Sequence, residues 1–268
     1  MKKSYVSLLT VLLIGTNVLY AKTGHKSTTS VSQKVKKDNI IDLAGRQRML
    51  SQRIVKDYLY KGNKVAVGRA DKELKTSLGE FNNALKKLDQ SINDAEIKNL
   101  LSFVQMSFDE FKDTVSHSYD QDNAQIALDL GESLLEGSQY VVDSLKSKQG
   151  TKGSKNAKII AKSGKQRMLA QRIAKYYIAY QSGIKDKNTV DQMKSAVKEF
   201  DANHKELMAY KGNSTTINQK LHDVDKLWKI VYKFYLGIEK GGLPFIVFKT
   251  TNDITKKMNE ITKLYATH

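Results

Sequence analysis

The chain has 268 residues, with 45 Lys and Arg against 28 Asp and Glu, for a formal charge of +17. Its 16 Gly, single Pro (Pro244) and lack of Cys exclude a turn-rich β fold, a collagen-like or Pro-rich chain, a disulfide scaffold, and any chemistry that needs a thiolate. The excess of positive charge attracts anionic partners of many kinds without selecting among them.

Met1-Lys2-Lys3 opens the chain with positive charge, Tyr5 to Ile14 is mostly apolar, and Ala21 suits the last position before a cleavage site. This is the pattern of a secretory signal peptide over residues 1–21, because the apolar run is short for a bilayer span. An uncleaved N-terminal anchor is the alternative, and Leu19 leaves the cut site open. No later window offers 18 apolar residues, so the mature chain is expected to be periplasmic and to carry no spanning helix. Export argues against a nucleic-acid partner in spite of the charge.

The first predicted helix contains Ile40–Leu59 (IIDLAGRQRMLSQRIVKDYL), and Ile159–Ile178 (IIAKSGKQRMLAQRIAKYYI) matches it at 12 of 20 positions. The chain is therefore a tandem duplication. A spacing of 119 persists through Glu80/Glu199 and Leu88/Leu207, then becomes 120 at Ile97/Ile217 and Phe108/Trp228. Apolar residues at 4-3 spacing predict a second helix on Leu74, Leu78, Phe81, Leu85 and Leu88, and a third on Ile97, Leu101, Val104, Phe108, Phe111 and Val115. A weaker fourth pattern runs through Ile126, Leu130, Leu134, Val141 and Leu145. Lys146–Lys158 reads as a polar connector. The second copy repeats the scheme with Met193 to Leu207, Ile217 to Tyr235, and Ile254 to Tyr265. Gly62-Asn63, Gly212-Asn213 and Gly241-Gly242-Leu243-Pro244 mark helix ends. The expected fold is all-α: two tandem antiparallel four-helix bundles, residues 32–148 and 155–268.

The first helix of each copy holds a conflict. Its seam reads Ile41, Gly45, Arg48, Gln52, Val55, Leu59 in one copy and Ile160, Gly164, Arg167, Gln171, Ala174, Ile178 in the other. An Arg on an apolar seam is costly unless something negative meets it, and a helical Gly costs about 1 kcal/mol against Ala while permitting close backbone approach. The first copy has no acid on that stripe; Asp42 and Asp57 lie on other faces of the same helix. Solvent-seeking arginines and a kink are the plain reading. Retention of Gly-x-Gln-Arg-Met-Leu-x-Gln-Arg in both copies favours a shared role. If the two first helices pack side by side, the guanidiniums repel by about 4 kcal/mol at 4 Å and an effective dielectric near 20. A small planar oxyanion between them reverses the sign, and guanidinium forks suit such an ion.

AGRQRMLSQR (Ala44–Arg53) and SGKQRMLAQR (Ser163–Arg172) resemble the signature of the PilJ-type domain at the N-terminus of type IV pilus chemotaxis transducers. That domain is similar to the periplasmic domain of NarX-type nitrate sensor kinases. The resemblance implies four-helix bundles that meet through their first helices, with nitrate at the interface. It places the arginine role on Arg48 and Arg167 and the close-approach role on Gly45 and Gly164; Gln52 and Gln171 complete the candidate ligand-binding set. Two departures stand out. Ser163 replaces Ala44, and tandem copies stand where the family has two subunits, so the site would be internal to one chain.

The five His form no metal-ligating pair, and His204 falls on a seam position equivalent to Leu85, where a packed imidazole is expected. Arg53 and Arg172 fall off the seam and are expected to be solvated or paired with carboxylates. No catalytic constellation, metal site or cofactor motif stands out. The leading expectation is a non-enzymatic binding protein for a small oxyanion, nitrate or nitrite, that reports to a membrane histidine kinase or chemoreceptor. An envelope protein whose basic surface holds anionic lipid or cell-wall polymer is the rival; a helical-bundle enzyme lacks candidate residues.

Overall fold

The computed structural model describes the backbone of residues 26–148 and 155–267, and side chains within 40–148 and 158–267. The expected signal segment 1–21 and the middle of the connector lie outside the described residues. The chain divides at Lys36: on one side Lys26–Lys36 is helical, and on the other Lys37–His268 is a single compact unit.

Eight α-helices and no strand occur among the described residues. The first repeat comprises α1 (Lys26–Gly62), α2 (Val67–Ser91), α3 (Ala95–Thr114) and α4 (Gln121–Lys148). The second comprises α5 (Lys155–Gln181), α6 (Lys187–Met208), α7 (Thr215–Leu236) and α8 (Pro244–Thr267), with a 3-10 turn at Ile238–Lys240 before α8. Helix is thus extended at both ends of the expected connector, which is polar but not all loop.

Local chemistry fixes these ends. Asp94, Asp186 and Ser214 each accept a hydrogen bond from the backbone N–H three residues on, capping α3, α6 and α7. Pro244 opens α8, where its missing N–H costs nothing. Gly242 is required by packing, since a Cβ there would fall 1.7 Å from the Tyr177 hydroxyl.

Seams on α2, α3, α6 and α7 are buried as their spacing predicts, except that Leu78 on α2 is only partly buried and Ser77 beside it faces inward. On α4 the pattern is rotated. Ile126 is 46% exposed and Leu130 only partly buried, while Ala124, Ala127, Leu128, Gly131, Leu134, Leu135, Ser138, Val141, Val142 and Leu145 face inward. Small residues allow this: Gly131 lies against Val55, and Gly137 against Val104. A sequence reading that counts only large apolar residues misses a face built on Ala, Gly and Ser.

Position matters most for α1 and α5. Met49–Gln52 and Ile54–Tyr60 are all buried, as are Gln166–Gln171 and Ile173–Ala179. A helix buried on every side lies in the middle of its unit. Both first helices are therefore central, and each touches the other repeat: Lys56 of α1 reaches Asn252 of α8, Lys175 of α5 reaches Glu132 of α4, and Tyr60 packs on Phe248 with ring centroids 4.9 Å apart.

Candidate functional site

Arg48 and Arg167 come from pseudo-equivalent turns of these central helices and are 7% and 4% exposed. They hold the same internal geometry. Arg48 Nε donates to the Gly45 carbonyl and Arg167 Nε to that of Gly164, each at 3.4 Å. Arg48 Nη1 donates to Gln139 Oε1 on α4 at 2.5 Å, and Arg167 Nη1 to Asn259 Oδ1 on α8 at 2.8 Å. Gln139 and Asn259 are 120 apart, so the brace belongs to the repeat itself. Each guanidinium folds back over the glycine one turn earlier: a Cβ at Gly45 or Gly164 would lie 3.2 Å from Nη2 of its own arginine. The glycine thus makes room for the arginine of its own helix.

The two cations act on each other. Burial, then the charge of Arg167, draws Arg48 down to about 10, with Asp143 and Asp42 opposing. The bare like-charge contact expected from the sequence is relieved, because Asp42 of α1 crosses the interface and accepts a hydrogen bond from Arg167 Nη2 at 2.7 Å. Asp42 lies off the arginine seam of its own helix, as expected, and it serves the arginine of the other helix instead. Gln139 ties in a second acid by donating to Asp143 at 2.8 Å.

The remaining members of the candidate set are placed one turn on. Gln52 Nε2 donates to the Gly131 carbonyl of α4, and Gln171 Nε2 to Thr255 Oγ1 and Asn252 Oδ1 of α8. Their amide donors tie each first helix to the last helix of its own repeat.

Two central lysines escaped the sequence reading. Lys56 and Lys175 have fully buried side chains. Lys175 and Arg172 both pair with Glu132, so Arg172 is one of the expected carboxylate-paired arginines. Burial draws Lys175 down to about 8 against the pull of Glu132. Lys56 contacts Asp57 at 2.9 Å, Glu73 at 3.6 Å and Asn252 at 2.8 Å, and lies 4.3 Å from the centre of the Phe248 ring. Burial pushes Asp57 up to about 7 in spite of Lys56. Both lysines belong to the near-copied segment, so their retention was a signal equal to that of the arginines. His204 is buried and stacked on Phe200, and burial lowers its pKa. Among the described residues no group of three His, Asp or Glu could hold a metal, and no helix is long and apolar enough to cross a membrane.

No curated protein and no solved structure matches the chain. Residues 30–130 and 151–234, together more than half of the chain, match the family described as the type IV pili methyl-accepting chemotaxis transducer N-terminal domain, PilJ. The two matches fall on the two repeats, and each includes one arginine of the pair. The chain belongs to the PilJ family of sensor-type chemotransducer domains, in tandem.

Proposed function

We propose that this protein is an exported sensor that holds a small oxyanion, nitrate or nitrite, between Arg48 and Arg167 and reports its presence to a membrane histidine kinase or chemoreceptor. The observation that carries the reading is the convergence of two nearly buried guanidiniums from pseudo-equivalent helices, each fixed by its own glycine carbonyl and by an amide on the last helix of its repeat. Such bracing holds a fork ready before a ligand arrives, which lowers the ordering cost of binding. Gly45 and Gly164 give each fork its room, and Gln52 and Gln171 brace the helices that carry them. Kinship to NarX-type domains, suggested by the repeated motif, points to nitrate among the oxyanions. Because α1 and α5 each touch both repeats, an ion at this point is well placed to bias how the repeats pack, which is the way a ligand shifts a two-state element.

Calorimetric titration of the full chain with nitrate tests the reading. About one ion per chain is expected, with binding lost in Arg48→Ala and in Arg167→Ala. Saturation at a hundredfold excess over Kd should also stabilise the wild type by about 2.7 kcal/mol. Unchanged nitrate binding in both variants would remove the site from the arginine pair. Failure of the wild type to bind nitrate or nitrite would remove the function.

A further inference from the structure

The positive charge is not shared evenly between the repeats. Residues 40–148 hold 17 Asp and Glu against 15 Lys and Arg, whereas residues 155–268 hold 10 against 22. On the last two helices of each repeat the contrast is clear: α3 and α4 carry nine acids against four bases, α7 and α8 four acids against eight lysines. The groove between those helices differs as well. In the second repeat two ion pairs span it, Lys220–Glu260 at 2.6 Å and Asp223–Lys257 at 3.2 Å. At the spacing of 120 the same four places in the first repeat hold Leu100, Tyr140, Phe103 and Gly137. Phe103 is 59% exposed, Tyr140 62%, and Met106, one turn beyond Phe103, 72%. Exposed Asp109, Glu110 and Glu136 lie one turn from these side chains along α3 and α4. Single exposed apolar residues are ordinary. Three large ones gathered on one face mark a contact surface, and aromatic residues and Met are the types enriched in such contacts.

We propose that this α3–α4 face docks on α7 of a second copy of the chain. There α7 presents the complement. Leu227, Ile230 and Phe234 recur at 3-4 spacing along one side, Ile230 45% exposed and the other two partly buried, with exposed Lys226, Lys229 and Lys233 beside them. The first-repeat counterparts of the apolar three are Ser107, Glu110 and Thr114. Each repeat thus places outward apolar residues where the other has polar ones, and flanks them with the opposite charge. Lys226 and Lys229 lie 3.8 Å and 2.6 Å from Asp223 and Asp225 of their own helix; exposed pairs of this kind are weak, so both lysines can turn to the acids of a partner. Pairing of two α3–α4 faces would instead set acids against acids. At physiological salt a charge more than about 8 Å away is largely screened, so the faces in contact outweigh the total of +17. The contact is heterologous. A pair leaves one face of each kind open, and association continues past two chains. No residue of the arginine pair takes part, so the docking surface stands independently of the oxyanion reading.

The test is sedimentation velocity of the full chain in about 0.15 M NaCl, at concentrations from about 1 to 300 µM. Wild type is compared with Phe103→Asp/Met106→Lys, which copies the second repeat at those places, and with Ile230→Glu, which copies the first. Circular dichroism melts show that these surface variants are folded. The average mass of wild type should climb with concentration and pass twice the monomer value, while each variant alone should stay monomeric. An equal mixture of the two variants should recover a complex that stops at two chains, since each supplies the face that the other has lost and neither can add a third. Wild type that stays monomeric throughout leaves the face to a different partner and overturns the proposal. A mass that stops at two in wild type and is unaffected by Ile230→Glu is the mark of like faces pairing, and overturns it too. So does a mixture of variants that fails to associate.

Discussion

Gly45→Ala asks why a glycine stands one turn before the arginine. Alanine in a helix interior is worth about 1 kcal/mol over glycine, so the substitution should stabilise α1 if the space is free. It is not free: the new Cβ would lie 3.2 Å from Arg48 Nη2, a few tenths of an ångström inside ordinary contact. Arg48 is 7% exposed and is held through Nη1 by Gln139 and through Nε by the Gly45 carbonyl. Moving it therefore strains, without breaking, a buried hydrogen bond to a charged group that is worth about 1.5–3 kcal/mol when whole, and a loss of about half of that is expected. The two effects nearly cancel, and Gly45→Ala alone should change stability by less than about 0.5 kcal/mol. In an Arg48→Ala background the crowding is gone, and the same substitution should recover its full gain of about 1 kcal/mol. Urea unfolding of the four proteins of this cycle, followed by helical circular dichroism, gives the coupling directly. A gain of about 1 kcal/mol in both backgrounds, with no coupling, would refute the idea that the glycine is there for the arginine.

The buried charged groups give two further predictions. Glu132→Gln should destabilise the protein by about 2–3 kcal/mol, below the full cost of stranding a buried charge because Glu132 is 25% exposed. Lys175→Met should cost under about 1 kcal/mol, since Glu132 keeps Arg172; equal costs in denaturant melts would show that the pair does not act as described. Asp57 faces Lys56, Glu73 and Arg53, and its pKa is raised to about 7. Folding therefore favours its protonated form, and this contribution is complete below the ordinary carboxylate range near pH 4 and lost as pH rises through 7. Relative to wild type, Asp57→Asn should gain about 4 kcal/mol of stability between pH 4 and pH 8; a difference that does not change with pH would show that Asp57 is ionised throughout.

Much of this architecture is legible because helix periodicity and duplication reinforce each other. Leu74, Phe81, Leu85 and Leu88 and the run from Ile97 to Val115 face the core as their spacing requires, and the second copy repeats the register. The inward face of α4 is hidden from a pattern of large apolar residues because Gly131 and Ser138 contribute to it. The arginine pair is visible as a polar interruption kept twice. Asp42 is not, because its partner lies on a helix 125 residues further along the chain, and nothing within α1 singles it out. Lys56 and Lys175 look like solvated lysines until both first helices prove to be enclosed on all sides. Amphipathic reasoning assumes that a helix has a wet face, and the centre of an eight-helix unit is where that assumption fails.

The duplication has a consequence for symmetry. When a binding site straddles the two-fold axis of a homodimer, every residue that one subunit contributes is contributed again by the other. Ionisable groups in such a site arrive in twos, and its formal charge is an even number. Arg48 and Arg167 keep the near-dyad arrangement of their braces, but they belong to one polypeptide, and the facing positions 42 and 161 hold Asp and Ala. One codon can therefore change one wall of the candidate site. Odd charges become possible, and so does a ligand met differently from its two sides. Tethering has a kinetic side as well: the two walls meet as parts of one molecule, so dilution does not separate them. Fusing two copies into one chain frees each half to drift apart in chemistry while the shared helical frame holds them in register.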